Sequence, residues 1–319
     1  MIKVFMKKGL VILLVFFAAL VIYPFIFKNP FPRHLLIMIM LYGTMGIGWN
    51  IIGGYAGQVS FGNAAFFGVG AYTTAILLSK YGINPWIGML LGCFFSSLVA
   101  VIVGYPCFRL RGHYFAIATI AVGEIVQILF TNWEYAGAAV GIYIPILEES
   151  FFNFQFHTTK LPYYYIVLAM LAFALLVCYA VEKSRLGYYF RAIKDDPEGA
   201  RSLGINIQNY KLVAFILSAI LTSVCGTFYA MYVLYIHPAN TIDLWLSIHL
   251  CIIALIGGLG KIFGPVIGAF IFIPLTEFTR VYLGSEGQGI DLIIYALIII
   301  LLATLRPQGL WGIFAKSSS

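Results

Sequence analysis

Apolar runs follow one another along almost the whole chain, separated by short polar segments. Crossing the hydrocarbon core of a bilayer takes about 20 helical residues at about 1.5 Å each, and ten runs come close to that length. They cover residues 9–27, 35–52, 63–79, 86–106, 114–131, 162–182, 210–235, 244–259, 264–282 and 290–305. The pattern predicts an all-α, polytopic membrane helix bundle with about ten transmembrane helices. The eighth and ninth runs meet at a glycine-rich turn, which leaves open a re-entrant segment in place of a full crossing.

Composition agrees with a membrane protein. Of the 319 residues, 62% are hydrophobic and 10% are charged, whereas a soluble domain has about 25% charged residues. A net charge of +7 does not indicate a nucleic-acid partner, because the basic residues are scattered between apolar runs. The five cysteines lie singly, without the spacing of a metal site or a redox pair. We therefore expect lipid as a main solvent, no nucleic acid and no metal.

The positions of lysine and arginine predict the orientation. If the N-terminus is cytoplasmic, only five of the 19 basic residues fall in outer segments: Lys28, Arg33, Lys80, Lys160 and Arg280. The positive-inside rule therefore predicts that both ends face the cytoplasm. We expect the chain to lie in the inner (plasma) membrane of the cell. The first run is too long for the apolar part of a signal peptide, and no cleavage site follows it. We expect an N-terminal span and outer turn at 1–34, a core at 35–310 and a cytoplasmic tail at 311–319.

Two glycine-rich segments are similar to each other. Residues 51–71 read I-I-G-G-Y-A-G-Q-V-S-F-G-N-A-A-F-F-G-V-G-A, and residues 255–269 read L-I-G-G-L-G-K-I-F-G-P-V-I-G-A. Glycine allows close helix packing and broken helices, which transporters use along the substrate path. The similarity indicates a parallel internal repeat of a transporter, although glycine is also common in membrane helices generally.

The long inner loop, residues 183–209, contains start and stop signals for a short helix. Asp195-Asp196-Pro197-Glu198 supplies an acidic cap and a proline in the first turn, and Gly204 supplies a glycine beyond the end. Glu198-Gly199-Ala200, followed after three residues by Gly204, resembles the E-A-A-x-x-x-G loop of ABC importer permeases, which docks on the ATPase subunit. The resemblance implies that Asp195, Asp196, Glu198, Gly199, Ala200 and Gly204 couple the chain to an ATPase. Gly199 replaces the usual alanine, which would soften this lever; the alternative is a solvated amphipathic loop.

Further motifs narrow the resemblance. Three segments are similar to the branched-chain amino acid permease family, LivM-type subunit. They are Gly57 to Tyr72 (G-Q-V-S-F-G-N-A-A-F-F-G-V-G-A-Y), Arg109 to Val126 (R-L-R-G-H-Y-F-A-I-A-T-I-A-V-G-E-I-V) and A-I-K-D-D-P before the coupling motif. The resemblance implies a complex with a second, LivH-like permease, two cytoplasmic ATPases and a periplasmic or lipid-anchored substrate-binding protein. ATP would bind to the partner subunits, and this chain would carry no cofactor.

Two departures from the family leave the substrate open. His113 stands where an acidic residue is usual, and Ala136–Gly141 replaces a more glycine-rich stretch. Besides small amino acids, urea or short-chain amides therefore remain candidate substrates.

Several polar residues inside the predicted spans are candidates for the substrate path. Glu124 lies about ten residues into the fifth run, roughly 15 Å deep, where a carboxylate is costly unless it is paired or hydrated. On a helical wheel Thr119, Gly123 and Gln127 lie on the same face as Glu124. This face would line the translocation path or contact the second permease. Asn50, Gln58, Ser60 and Asn63 flank the first glycine-rich segment, where helix packing is the other explanation for them.

The sequence predicts transport rather than catalysis. Gly260-Lys261 lacks the rest of a phosphate-binding loop, and Glu124 has no obvious catalytic partner. The leading hypothesis is the permease subunit of an ATP-driven importer for branched-chain or related small amino acids, working by alternating access. A secondary transporter that needs no ATPase is the alternative, but it would have no reason to carry the coupling motif.

Overall fold

The computed structural model describes residues 15–27, 29–110, 112–283, 297 and 309–310. Its helices are α1 (Val15–Ile26), α2 (Pro30–Asn50), α3 (Asn63–Tyr81), α4 (Pro85–Cys107), α5 (His113–Asn132), α6 (Leu161–Lys183), α7 (Arg185–Asp195), α8 (Pro197–Ser202), α9 (Ile207–Val233), α10 (Pro238–Thr241), α11 (Leu244–Gly257) and α12 (Gly264–Leu283). Residues Ile51–Tyr55 extend α2 as a π-helical turn, and strands β1 (Ile142–Tyr143) and β2 (Tyr235–Ile236) pair antiparallel. The chain is mostly helical, as predicted, with one pair of short strands.

Six segments of the described chain are long and apolar enough to cross a membrane. They are Pro30–Tyr55, Pro85–Cys107, His113–Asn132, Leu161–Lys183, Ile207–Val233 and Pro238–Gly257, and two shorter apolar helices cover Val15–Ile26 and Gly264–Thr279. The chain is thus a multi-pass membrane protein. Residues 1–14, the tail 311–319 and, apart from residue 297, the tenth predicted span 290–305 lie outside the described residues.

The eighth predicted span, 244–259, is formed by the continuous helix α11, and a separate helical turn precedes it. A single turn, α10, begins at Pro238, packs against α3 and α5, and is followed after two residues by α11. The next helix, α12, runs antiparallel to α2: Gly46 near one end lies against Pro265, and the rings of Phe31 and Phe278 near the other are 6.2 Å apart. This pairing along the length of α2 favours a full crossing by α12 over a re-entrant segment.

The centre of the bundle is a close triad of α3, α4 and α9. Because lipid tails are as apolar as the helix surfaces, membrane helices associate through tight packing and hydrogen bonds. Gly226 of α9 faces the Phe67 carbonyl of α3, and the hydroxyls of Thr74 and Thr227 hydrogen-bond at 2.9 Å. α2 packs against the other side of α9 and against α6, α11 and α12. Glycine and threonine, rather than bulky side chains, therefore determine how closely the central helices approach.

The two ends of the bundle differ. At one end, which we call the strand end, β1 and β2 hold the α5–α6 connection against the end of α9, and the rings of Tyr143 and Tyr235 stack at 4.4 Å. At the same end the Lys80 ammonium donates to the Tyr135 carbonyl at 2.7 Å. The other end, the lever end, holds the helix pair α7–α8 between α6 and α9.

A carboxylate closes the last part of the α5–α6 connection. Glu149 accepts hydrogen bonds from the backbone N–H groups of His157 and Thr158 and from the Thr158 hydroxyl, the last at 2.8 Å. The bond from this hydroxyl is the largest cause that lowers the pKa of Glu149 below its ordinary value. A lowered pKa stabilises the closed loop above the pKa of the unfolded chain, and this stabilisation is lost as the pH falls through the lowered value.

We expect Glu149→Gln to open this loop at pH 7 in the way that acid opens it in the parent chain. Hydrogen exchange of residues 149–158, corrected for intrinsic rates, would rise in the variant at pH 7 and in the parent below about pH 4. Glu148→Gln, which removes a neighbouring exposed carboxylate, is the matched control. Equal protection of both variants at pH 7 would contradict the assignment.

Candidate functional site

The short helix predicted in the long loop is present as α8. Asp196 caps its N-terminus by accepting a hydrogen bond from the Glu198 N–H at 3.1 Å, and Pro197 occupies the first turn. Gly204 follows with φ +82°, a conformation that suits glycine at a helix end. Ala200 is buried against Ile193 and Ile207, whereas Asp195 and Glu198 are exposed. The helix is thus fastened by one small residue and presents its acidic face outward.

Gly199 has a specific place in this cap. A Cβ atom at residue 199 would lie 2.5 Å from Oδ2 of Asp196, so an alanine would displace the capping carboxylate. The glycine that replaces the family's usual alanine therefore accompanies a particular cap geometry. This gives it a local role besides the expected softening of the lever.

The two glycine-rich segments, far apart in sequence, meet at the lever end. The side chain of Asn50, which is fully buried, donates to the Lys261 carbonyl and accepts from the Gly260 N–H, both at 2.9 Å. A Cβ atom at Gly54 would lie 2.5 Å from the Gly260 nitrogen, so only glycine permits this approach. We call residues 51–57 and 257–261 together the glycine junction.

Three polar side chains fasten α6 and α7 to the junction. The Tyr55 hydroxyl donates to Glu182 at 2.8 Å, and Glu182 also pairs with Arg191 at 2.8 Å. The Lys194 ammonium donates to the Gly54 carbonyl, again at 2.8 Å. Helix α7, which leads into α8, is therefore attached to the junction near its middle and at its end.

A second buried polar cluster lies at the start of α3. The amide nitrogen of Asn63 donates to Ser218 at 2.8 Å, and Ser247 accepts from the Ala64 N–H at 2.9 Å. The amide oxygen of Asn63 is buried and, among the described residues, has no hydrogen-bond partner. Such an orphan acceptor is costly unless a water molecule or a ligand donates to it.

Thr119 links α5 to the segment before α3. Its hydroxyl accepts from the Phe61 N–H at 3.1 Å, and the Ser60 hydroxyl accepts from the Gly62 N–H at 3.3 Å. Gln58 is half-buried and donates to the Gly57 carbonyl at 3.1 Å. The structure thus brings Thr119 close to Ser60, while Asn50 belongs to the glycine junction.

Helix α5 is the least covered of the six candidate spans. Only Phe115 and Thr119 of its residues are buried, and Ile125 and Ile128 are more than half exposed. Gly123, Glu124 and Gln127 are half-buried and lie beside this apolar face. A half-exposed carboxylate is costly against lipid, so the surface around Glu124 requires water or another protein.

An apolar cavity among the described residues does not suit a polar substrate. It measures about 830 Å³ and lies between α4, α6 and α9. Its lining is Thr44, Trp86, Met89, Leu90, Cys93, Phe151, Phe154, Pro162, Tyr165, Ile166, Ala169, Met170, Phe173, Ile220, Leu221 and Val224. No charged side chain is among them, so a zwitterion would lose its hydration without compensation. The described residues also contain no group of three His, Cys, Asp or Glu that could hold a metal.

Sequence reasoning did not single out Glu182, Arg191 or Lys194. Glu182 and Arg191 pair across the turn between α6 and α7, and Lys194 reaches a carbonyl 140 positions away in the chain. The available signal was weak, since basic residues in an inner loop are explained by topology alone.

The sequence is similar to those of known transport proteins. A family model described as "branched-chain amino acid transport system / permease component" matches residues 32–302. The high-affinity branched-chain amino acid transport system permease protein LivM of Escherichia coli K12 is 28% identical over 294 residues, which cover 85% of this chain and 68% of the relative. The corresponding LivH protein of Salmonella typhimurium is 26% identical over 85% of this chain and 91% of its own length. The nucleoside ABC transporter permease protein NupC of Lactococcus lactis subsp. cremoris is 26% identical over 60% and 65%. No solved structure matches.

Proposed function

Because the chain belongs to the family of permease components of branched-chain amino acid transport systems, we propose that it is the LivM-type transmembrane subunit of an ATP-driven importer. Its cargo would be branched-chain or related small amino acids. The substrate crosses without covalent change, so the chain acts as a permease and not as an enzyme.

The observation that carries this proposal is the attachment of an exposed helix pair to the glycine junction. Helix α8 is capped, compact and open to a partner on its acidic face. Helix α7 joins it to Gly54 and Glu182. Rigid displacement of a short helix is a common way to transmit a conformational change. A proton- or sodium-driven carrier would have no use for such a lever, which supports coupling to an ATPase.

The proposed assembly follows from the relatives. LivM and LivH both match this chain and are both permease proteins of one kind of transport system, which supports a pair of unlike permeases. Two cytoplasmic ATPases would bind ATP, and a periplasmic or lipid-anchored binding protein would deliver the substrate. We place the complex in the cell inner membrane, with ten spans in this chain, both ends cytoplasmic and the lever end facing the ATPases.

The surface of α5 is proposed to face the second permease along a shared substrate path. Its low coverage and its half-exposed Glu124 and Gln127 support this placement. Thr119, Gly123 and Ser60 would continue the path towards Asn63, whose free amide oxygen could accept from a substrate ammonium group. Gln58 and Asn50 lie beyond these residues, towards the glycine junction. A path between two permeases satisfies both explanations of the polar face on α5.

Uptake by the reconstituted complex tests the proposal. The chain would be purified with its second permease and ATPases, inserted into proteoliposomes and supplied with loaded binding protein and labelled leucine. We expect uptake that requires ATP hydrolysis and stops with a non-hydrolysable analogue. Competition by isoleucine and valine, but not by urea, acetamide or adenosine, would support the cargo class. Leucine uptake that continues without ATPases would instead favour a secondary transporter.

A further inference from the structure

Lys194 occupies a position that the proposed coupling of α8 does not by itself explain. It is in the last turn of α7, one residue before the turn into α8. Its side chain reaches the glycine junction. We propose that Lys194 is the positioning residue that transmits displacement of α7–α8 to both glycine-rich segments; this inference rests on the proposed function.

The contacts of Lys194 involve both segments of the junction. Its ammonium donates to the Gly54 carbonyl at 2.8 Å. A Cβ atom at Gly57 would lie 2.9 Å from Cγ of Lys194, and one at Gly260 would lie 3.8 Å from its Nζ. The stem therefore passes over Gly57, and the ammonium lies beside the second glycine-rich segment. Glycine at residue 57 is required for the stem to pass so closely.

The Gly54 carbonyl is a chemically suitable end point. It belongs to the last turn of the continuous helix formed by α2 and the π-helical turn. The carbonyls of Ile51 and Ile52 accept from the N–H groups of Ala56 and Gln58, but carbonyls at the end of a helix have no further intrahelical donors. A cation at this end also complements the helix dipole. Lys194 thus supplies a donor where the backbone has none.

Asn50 passes the connection to the second segment. It lies one turn before Gly54 on the same helix, and its amide holds both the Gly260 N–H and the Lys261 carbonyl. Motion of the α2 end must therefore pull the turn between α11 and α12 with it. Arg191, paired with Glu182 at the end of α6, fixes α7 one turn before Lys194. Displacement of α8 would then rotate α7 about Arg191 and move Lys194 most.

The test separates coupling from assembly in the reconstituted complex. Lys194→Met retains most of the stem but removes the charge and the donor. We expect the ATPases to copurify and hydrolyse ATP as with the parent chain, while uptake falls by about tenfold, as the loss of one charge-assisted hydrogen bond implies. Because a positioning residue does not touch substrate, the maximal rate would fall and KM would stay unchanged. Lys194→Arg, which keeps a cationic donor, would recover most of the uptake.

Lys183→Met is the matched control. It removes the same charge at the end of α6, where Lys183 is exposed and lies 5.8 Å from the Tyr179 ring, and we expect uptake to be unchanged.

Asn50→Ala provides an independent variant should Lys194→Met not fold. It would also lower the maximal rate of uptake with KM unchanged while ATP hydrolysis continues. Normal uptake by either Lys194→Met or Asn50→Ala would overturn the inference, and so would loss of ATPase binding by Lys194→Met. If the parent chain itself shows no ATP-dependent uptake, the proposed function fails first and the inference with it.

Discussion

Replacing Gly226 with alanine is expected to destabilise the bundle by about 1–3 kcal/mol, the usual cost of overpacking a core. The new Cβ atom would lie 2.0 Å from the Phe67 carbonyl oxygen and 3.1 Å from the Ala71 nitrogen, both backbone atoms of α3. Because a backbone cannot rotate away as a side chain does, α3 and α9 would have to separate. Their separation would disturb the triad with α4, around which the remaining helices pack.

The measurement is the thermal unfolding midpoint of the detergent-solubilised chain, which we expect to fall by about 5–10 °C. Gly123→Ala is the control, because its new Cβ atom would have only the Phe61 oxygen nearby, at 3.8 Å. Both changes raise helix propensity equally, so the difference between them isolates the contact between α3 and α9. Equal midpoints for the two variants would mean that these helices are not held by close backbone approach.

Helix positions were predictable because they depend on local sequence. Apolar length located the spans, and prolines such as Pro85 and Pro238 begin helices where the missing N–H has no cost. The seventh span was predicted from residue 210, but α9 starts at Ile207 because the side chain of Asn206 accepts from the Asn209 N–H at 3.2 Å. Polar capping residues extend a helix beyond its apolar run, which a hydropathy pattern cannot register.

The junction at the lever end was only half predictable. Glycine-rich sequence indicated broken helices, yet Ile51–Tyr55 remain wound as a π-helical turn, and irregular backbone begins only after them. The internal similarity gave no reason for the two segments to touch, since a parallel repeat places equivalent elements in equivalent positions rather than in contact. Their meeting depends on Asn50, whose bonds span about 210 positions. Contacts at such a separation are set by the whole fold.

The polar face of α5 shows a different limit. Periodicity placed Glu124, Gln127 and Thr119 on one face, and the structure finds Thr119 buried and the other two half-exposed. A wheel gives the direction of a side chain relative to its neighbours but not the surface that it meets. The described residues cover α5 only sparsely, which sequence could not reveal, and this supports a second permease as a further neighbour.

Gly204→Asp is expected to abolish most ATP-driven uptake while leaving the fold intact. Asp tolerates positive φ better than most residues, and nothing lies within 4 Å of a Cβ atom at this position, so the chain itself has room for the change. If the end of α8 enters a cleft on the ATPase, the new carboxylate would be buried there without a partner. An unpaired buried charge costs several kcal/mol, and about 1.4 kcal/mol is already a factor of ten in an equilibrium constant.

Gly82→Asp makes this expectation specific to the lever end. Gly82 has a φ of +63°, close to the +82° of Gly204, and it too has no atom within 4 Å of a Cβ position. Gly82 follows the end of α3, at the strand end of the bundle. Gly82→Asp therefore introduces the same strain and charge away from the ATPases. We expect it to transport normally and to retain its ATPases, whereas Gly204→Asp loses at least about 90% of uptake and of ATPase copurification at an unchanged unfolding midpoint. Uptake by Gly204→Asp at the level of Gly82→Asp would show that α8 does not enter an ATPase cleft, and it would remove the main support for an ATP-driven importer.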